Sequence, residues 1–180
     1  MTSTIWYYYF TKIRVLLLRK FKYTNIYNIP YVKSVNLDLE ANFFQNSNFE
    51  KKKILLLIEL ITGRKPKVIV IKSEDSITRN HYIITFNAKD SLFFLYRFST
   101  IILPQLRFFR GIALHTHVKD NYCLFSFRDP AIFYEITSKF ELFPNYESIK
   151  NFQLKIHFST TNKLDIAYLL SLLKIPYIFI

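Results

Sequence analysis

Two stretches far apart in the chain alternate apolar and polar residues with a period of two. Val35, Leu37 and Leu39 interleave with Ser34, Asn36 and Asp38, and Phe152, Leu154, Ile156 and Phe158 interleave with Gln153, Lys155 and His157. Successive side chains of a strand leave on opposite faces, so each stretch makes one apolar and one polar face. A sheet that is apolar on one side only has to be covered on that side only. The expected class is therefore α+β: a mostly antiparallel β-sheet with helices packed on one face.

The rest of the chain supplies those helices. Residues 5–22 read as a basic, aromatic helix broken by Asn28-Ile29-Pro30. Residues 41–48 are polar and amide-rich and read as a loop. Ser47-Asn48-Phe49-Glu50 matches a capping box, which opens a helix expected to run to Thr62 and to stop at Gly63. Lys67–Ile71 and His81–Phe86 read as strands joined by an exposed loop over Lys72–Asn80, followed by an aromatic helix from Asp90 to Leu103 that Pro104 ends. Residues 105–121 form a basic connection to a strand at Tyr122–Phe127, and a last helix starts near Thr161 and ends before Pro176. The expected organisation is an N-terminal basic aromatic helix or extension over 1–22 and a single domain over 23–180.

Charge narrows the function. Lys and Arg number 25 against 13 Asp and Glu, a formal net charge of +12, which points to a polyanion, with RNA foremost. No acidic residue precedes Asp38, while Lys12, Arg14, Arg19, Lys20, Lys22 and Lys33 do. Such a start can be a transit peptide, but the bulky run Trp6–Phe10 favours a retained helix that presents cations. The apolar runs Ile54–Ile58 and Ile166–Leu173 are too short for a membrane-spanning helix. Phe, Tyr, Ile, Asn and Lys make up close to half of the chain. All five have AT-rich codons, which suggests an organelle genome.

Catalytic constellations are thin. Glycine occurs only at 63 and 111, so no glycine-rich phosphate loop can be built. His115-Thr116-His117 would need further metal ligands from His81, His157, Cys123 or a carboxylate, and no spacing typical of a metal site is present. Cys123 lies in an aromatic strand, where a small core residue is the natural role. No catalytic residue, metal or cofactor is expected. Basic residues beside aromatics are better represented: Arg64, Lys65 and Lys67 at a helix end, and Arg107-Phe108-Phe109-Arg110, where arginines can hold phosphates while a ring packs or stacks. The alternative is a basic peripheral membrane or protein-interaction module built on the aromatic N-terminus.

Several segments, taken in order, resemble the ribosomal protein L five family, the large-subunit protein that binds 5S rRNA. They are Tyr23-Thr24-Asn25-Ile26 with Ile29-Pro30; Ile61-Thr62-Gly63-Arg64-Lys65-Pro66; Pro104-Gln105-Leu106-Arg107-Phe108-Phe109-Arg110-Gly111; Asn121-Tyr122; Ile132-Phe133 with Glu135-Ile136; and Ile175-Pro176-Tyr177. The resemblance spans roughly Tyr23 to Phe179. It implies an antiparallel sheet backed by helices, placement in the central protuberance beside neighbouring proteins of that region, and no chemistry. The implied contacts are 5S rRNA or its substitute and large-subunit rRNA, P-site tRNA, and a small-subunit head protein across the inter-subunit bridge. An organellar version would work on a mitochondrial ribosome in the matrix. The family's asparagine, glutamine and threonine for 5S rRNA correspond here to Asp38, Arg64 and Thr85. An acidic Asp38 facing phosphates is unfavourable unless it accepts from a base or pairs with a cation. The short, glycine-free Lys72–Asn80 segment implies a weakened tRNA contact. The candidate RNA-binding residues are Asn36, Asp38, Arg64, Lys65, Lys67, Arg79, Thr85, Arg107, Arg110, Arg128 and Lys155.

Overall fold

The computed structural model describes residues 5, 7–23, 25–43, 48–72, 78–106, 109–113, 118–127, 132–138 and 149–178. The helices are α1 (Arg14–Phe21), entered through a wide π-helical turn at Tyr9–Ile13, α2 (Asn48–Thr62), α3 (Ala88–Arg97), α4 (Leu103–Gln105), α5 (Tyr134–Thr137) and α6 (Lys163–Leu172). The strands are β1 (Val32–Phe43), β2 (Lys67–Lys72), β3 (Thr78–Asn87), β4 (Ile112–Ala113), β5 (Val118–Lys119), β6 (Tyr122–Phe127), β7 (Ile149–Phe158) and β8 (Tyr177–Ile178). Six strands form one sheet in the order β2-β3-β1-β7-β6-β5, and β4 and β8 form a separate parallel pair. The β2–β3 and β5–β6 pairs are antiparallel. The fold is α+β, with a mostly antiparallel sheet and packed helices.

The alternation read in the sequence is the organising pattern. Val35, Leu37, Leu39 and Ala41 of β1 are completely buried, and Phe152, Leu154, Ile156 and Phe158 of β7 are buried as well. Asn36, Asp38 and Glu40, and Gln153, Lys155 and His157, are half-buried on the other face. β2 is the outer strand of the sheet beside β3, and Val68, Ile69 and Val70 are 46%, 48% and 55% exposed, so both of its faces are open.

The chain divides into two compact units. Unit 1 comprises Met1–Val35, Phe86–Leu124 and Ile156–Ile180; unit 2 comprises Asn36–Thr85 and Phe125–Lys155. In unit 1 the N-terminal helix buries Tyr9, Ile13 and Leu17, a stripe spaced four residues apart on one helix face. Lys20 Nζ lies 3.8 Å above the ring of Tyr168, and Phe21 meets the same ring edge-on at 5.6 Å, so a cation–π contact and a T-shaped pair hold α1 against α6. Phe86, Phe94 and Phe98 stack in sequence, with centroid separations of 4.8 and 6.4 Å. Burial raises the pKa of Tyr23, and the neighbouring Asp165 adds to the rise. In unit 2, Ile54, Leu57, Ile58 and Ile61 form the buried stripe of α2, and Phe152 packs against Phe133 at 4.7 Å and Phe127 at 6.1 Å.

Several boundaries differ from expectation. β1 continues through Ala41–Phe43, where a loop was expected, because the alternation persists and Ala41 fits the buried face. Ser47 of the expected capping box lies outside the described residues. The Lys72–Asn80 segment is not all loop: β2 reaches Lys72, β3 starts at Thr78, and Asn80 is buried opposite Val70. Pro104 does not end the helix before it. Proline lacks an N–H and its ring crowds the carbonyl four residues back. The chain widens into a π-helical turn over Phe98–Ile102, in which Leu103 N–H donates to Phe98 O, and Pro104 then sits inside α4. Residues 105–121 are not one unbroken connection, since β4 and β5 form there. The last helix starts at Lys163, where the Asn162 side chain accepts from Leu164 N–H.

The β4–β8 pair joins two of the sequence motifs. Ile112 N–H donates to Pro176 O at 3.0 Å, which brings the segment ending in Gly111 against Ile175-Pro176-Tyr177. Gly111 has φ +130°, and a Cβ there would lie 3.1 Å from Ile178 Cγ1 and 3.3 Å from the Pro176 carbonyl. Gly63 has φ +68° with open space around it. Gly63→Ala should cost about 1 kcal/mol, the left-handed penalty alone. Gly111→Ala should cost about 2–3 kcal/mol, because close contact adds to the strain. At roughly 2–4 °C of Tm per kcal/mol, thermal melts of the two variants separate them, and equal losses would contradict the packing at Gly111.

Cys123 is completely buried, and burial pushes its thiol from 9.0 up to about 12. Burial also raises Tyr9, Tyr23 and Tyr82 above the ordinary 10.0. Above pH 9 the unfolded thiol loses a proton that the folded one keeps, and above pH 10 the tyrosines follow, so the folded state binds more protons and stability falls as pH rises. Denaturant titrations should therefore give a stability that declines from pH 9 toward 12. In the native protein the thiol should resist alkylation at neutral pH. Rapid labelling of the folded chain would contradict this burial.

Candidate nucleic-acid interface

The polar face of unit 2 is built by three neighbouring strands and one helix end. β1 contributes Asn36, Asp38 and Glu40; β3 contributes His81, Ile83 and Thr85; β7 contributes Asn151, Gln153 and Lys155. In the β2–β3 register, Lys67 lies opposite Ile83 and Ile69 opposite His81, which puts Lys67 on this same face.

The helix end that delivers Arg64 is locally determined. Gly63 takes the left-handed conformation and its N–H donates to Glu59 O at 2.7 Å. The Thr62 hydroxyl donates to Ile58 O at 2.7 Å and accepts from Arg64 N–H at 3.3 Å. That turn directs the Arg64 side chain across to β3, where Nη1 approaches Thr85 O at 3.4 Å, at the long limit of a hydrogen bond. Two of the candidate RNA-binding residues, Arg64 and Thr85, therefore meet.

The third, Asp38, is paired. Its Oδ1 lies 3.2 Å from Nδ1 of His81 on the adjacent strand, and both side chains are largely sheltered. An ionised carboxylate only accepts, so Nδ1 carries the hydrogen of this contact. The neighbouring acid, Glu40, is engaged similarly: Asn151 Nδ2 donates to its Oε2 at 2.9 Å. Both acids on this face of β1 are thus tied to donors of flanking strands, while Arg64, Lys65 and Lys67 are exposed and Lys155 is half-buried. The face can accept hydrogen bonds through engaged carboxylates and donate through cations, a combination suited to sugars and phosphates. Sequence reasoning passed over His81 as a partner because strand adjacency, not spacing along the chain, pairs it with Asp38.

The remaining candidates fall in different places. Arg79 is on β3 opposite Ile71 in unit 2. Arg110 is exposed in unit 1, just before Gly111, while Arg107 and Arg128 lie outside the described residues, as do His115 and His117. Among the described residues, no three His, Cys, Asp or Glu side chains gather as metal ligands, and no helix is long and apolar enough to cross a membrane.

No family model matches the sequence. Individual relatives do. The chain is 29% identical over 143 residues to large ribosomal subunit protein uL5m of Reclinomonas americana, covering 73% of this chain and 75% of that protein. It is 30% identical over 169 residues to uL5c of Euglena longa, covering 88% of each. It is 33% identical over 138 residues to uL5c of Cyanidium caldarium, covering 71% of this chain and 74% of the relative. With an α+β fold and organellar relatives matched over most of its length, the chain belongs to the uL5 family of large ribosomal subunit proteins.

Proposed function

We propose that the protein is a structural, non-catalytic constituent of an organellar large ribosomal subunit, and that the polar face of unit 2 lies against rRNA. The observation that carries this is the Asp38–His81 pair: the acid that would repel phosphate is held by the neighbouring strand, while Arg64, Lys65 and Lys67 stand exposed beside it. Lysines and arginines displace counterions from the RNA backbone, and the sheet fixes the register of the contact. At the finer level, we place the protein in the central protuberance of a mitochondrial ribosome in the matrix, encoded by the organelle genome. It contacts 5S rRNA or the element that replaces it, large-subunit rRNA, neighbouring proteins, and a small-subunit head protein across the bridge. The P-site tRNA contact is weakened, in keeping with the short segment between β2 and β3. The matching uL5m and uL5c relatives support the organellar assignment.

Sedimentation with purified large subunits at rising salt tests this reading. The protein should travel with the subunit at low salt, and a protein that stays soluble there refutes it. Lys65→Ala with Lys67→Ala should lower the slope of log affinity against log salt by roughly one unit per lost phosphate contact. An unchanged slope would remove these lysines from the interface.

The Asp38–His81 pair makes a separate expectation. His81→Leu leaves the carboxylate without its donor beside RNA and should weaken rRNA binding about fivefold, the scale of one hydrogen bond. Asp38→Asn in the same chain should restore most of the loss. Equal affinities for all three proteins in filter binding would show that this face meets no RNA.

A further inference from the structure

The aromatic N-terminal segment is not used by the face described above. In unit 1 it borders an apolar pocket of about 250 Å³ lined by Phe10, Arg14, Ile26, Tyr27 and Tyr31 among others. That volume is below the roughly 300–1,000 Å³ of a pocket for a drug-sized ligand, so it suits one planar group. The rim is unusually bare: Tyr27 is 88% exposed, Ile26 61%, Tyr31 45% and Phe10 39%. A cluster of exposed rings at the mouth of an apolar pocket marks a surface made for an occupant.

Charge identifies that occupant. Arg14 stands at the pocket, with its guanidinium 5.5 Å from the Phe10 ring centroid and Nη2 donating to Ile26 O at 3.2 Å. A guanidinium has five N–H donors, more than one carbonyl can take. The segment that carries Arg14, Tyr27 and Tyr31 has six basic residues and no acid before Asp38. On α3, beside the pocket, Lys89 and Asp90 offset one another. Arg14 is thus the charged residue of the pocket lining and no carboxylate lines it, which favours a planar group joined to an anion. The wide turn at Tyr9–Ile13 contributes to this arrangement, since Tyr9 is buried while Phe10 faces outward. Such turns often mark functional positions in helices.

We infer that this pocket receives one unpaired nucleobase of RNA, stacked on Tyr27, with Arg14 holding the adjoining phosphate. This rests on the reading of the chain as an rRNA-binding protein, and it adds a second contact, to single-stranded RNA, in unit 1. Stacking is indifferent to base identity, and Arg14 supplies the charge-assisted bond.

The test uses the full-length protein with two probes: a short single-stranded oligoribonucleotide carrying one 2-aminopurine, and a blunt RNA duplex of equal length. Binding of the single strand should quench the 2-aminopurine. Tyr27→Ala should abolish the quenching and weaken single-strand binding roughly tenfold, as expected for loss of one stacked base, while duplex affinity is unchanged. Tyr27→Trp should restore both. Because Tyr27 is 88% exposed, the substitution leaves the core intact, and circular dichroism checks this. If Tyr27→Ala binds and quenches the single strand like the unmodified protein, while both proteins bind duplex, the inference falls and a protein side chain becomes the occupant to seek. If neither RNA binds the unmodified protein at low salt, the RNA reading fails and this inference fails with it.

Discussion

The fold depends on a one-sided strand. β1 places four consecutive inward residues, Val35, Leu37, Leu39 and Ala41, in complete burial between β3 and β7. A slip of one residue would turn all four to the polar face and bring Asn36, Asp38 and Glu40 into the core, at a cost of several kcal/mol for each buried charge. Register is therefore fixed by desolvation. Once it is fixed, Asp38 is held level with His81 and Glu40 with Asn151, so the electrostatics of the outer face follow from the packing of the inner one.

Alternating segments were legible in the sequence because their signal is local. Phe152–Phe158 and Val35–Leu39 each carry their own period, and helix α2 carries a stripe that needs no knowledge of its neighbours. Pro104 misleads because its effect depends on what the preceding turn can do, and the turn over Phe98–Ile102 absorbs it. The two-residue strands β4 and β8 have no periodicity to read; they exist because Gly111 lets the backbone come close to Pro176.

The candidate interface was half legible for the same reason. Residue type and position along the chain singled out Arg64, Lys65, Lys67 and Thr85. That Arg64 reaches the Thr85 carbonyl follows from the left-handed turn at Gly63, which the sequence does signal. The partner of Asp38 lies 43 positions away and becomes visible only when strand order is known. The acid is thus an internal acceptor within the sheet, tied to a donor of the same unit.

The outer strand β2 carries the last consequence. Among the described residues its backbone is paired only with β3, and Val68, Ile69 and Val70 leave apolar surface on both sides of that edge. Nothing in those three residues prevents another strand from adding to it; the exposed Lys67 at its start opposes this by charge. A chain built this way tolerates solitude poorly. An open apolar edge is a template on which further strands can pair, so the unassembled form is the one exposed to aggregation.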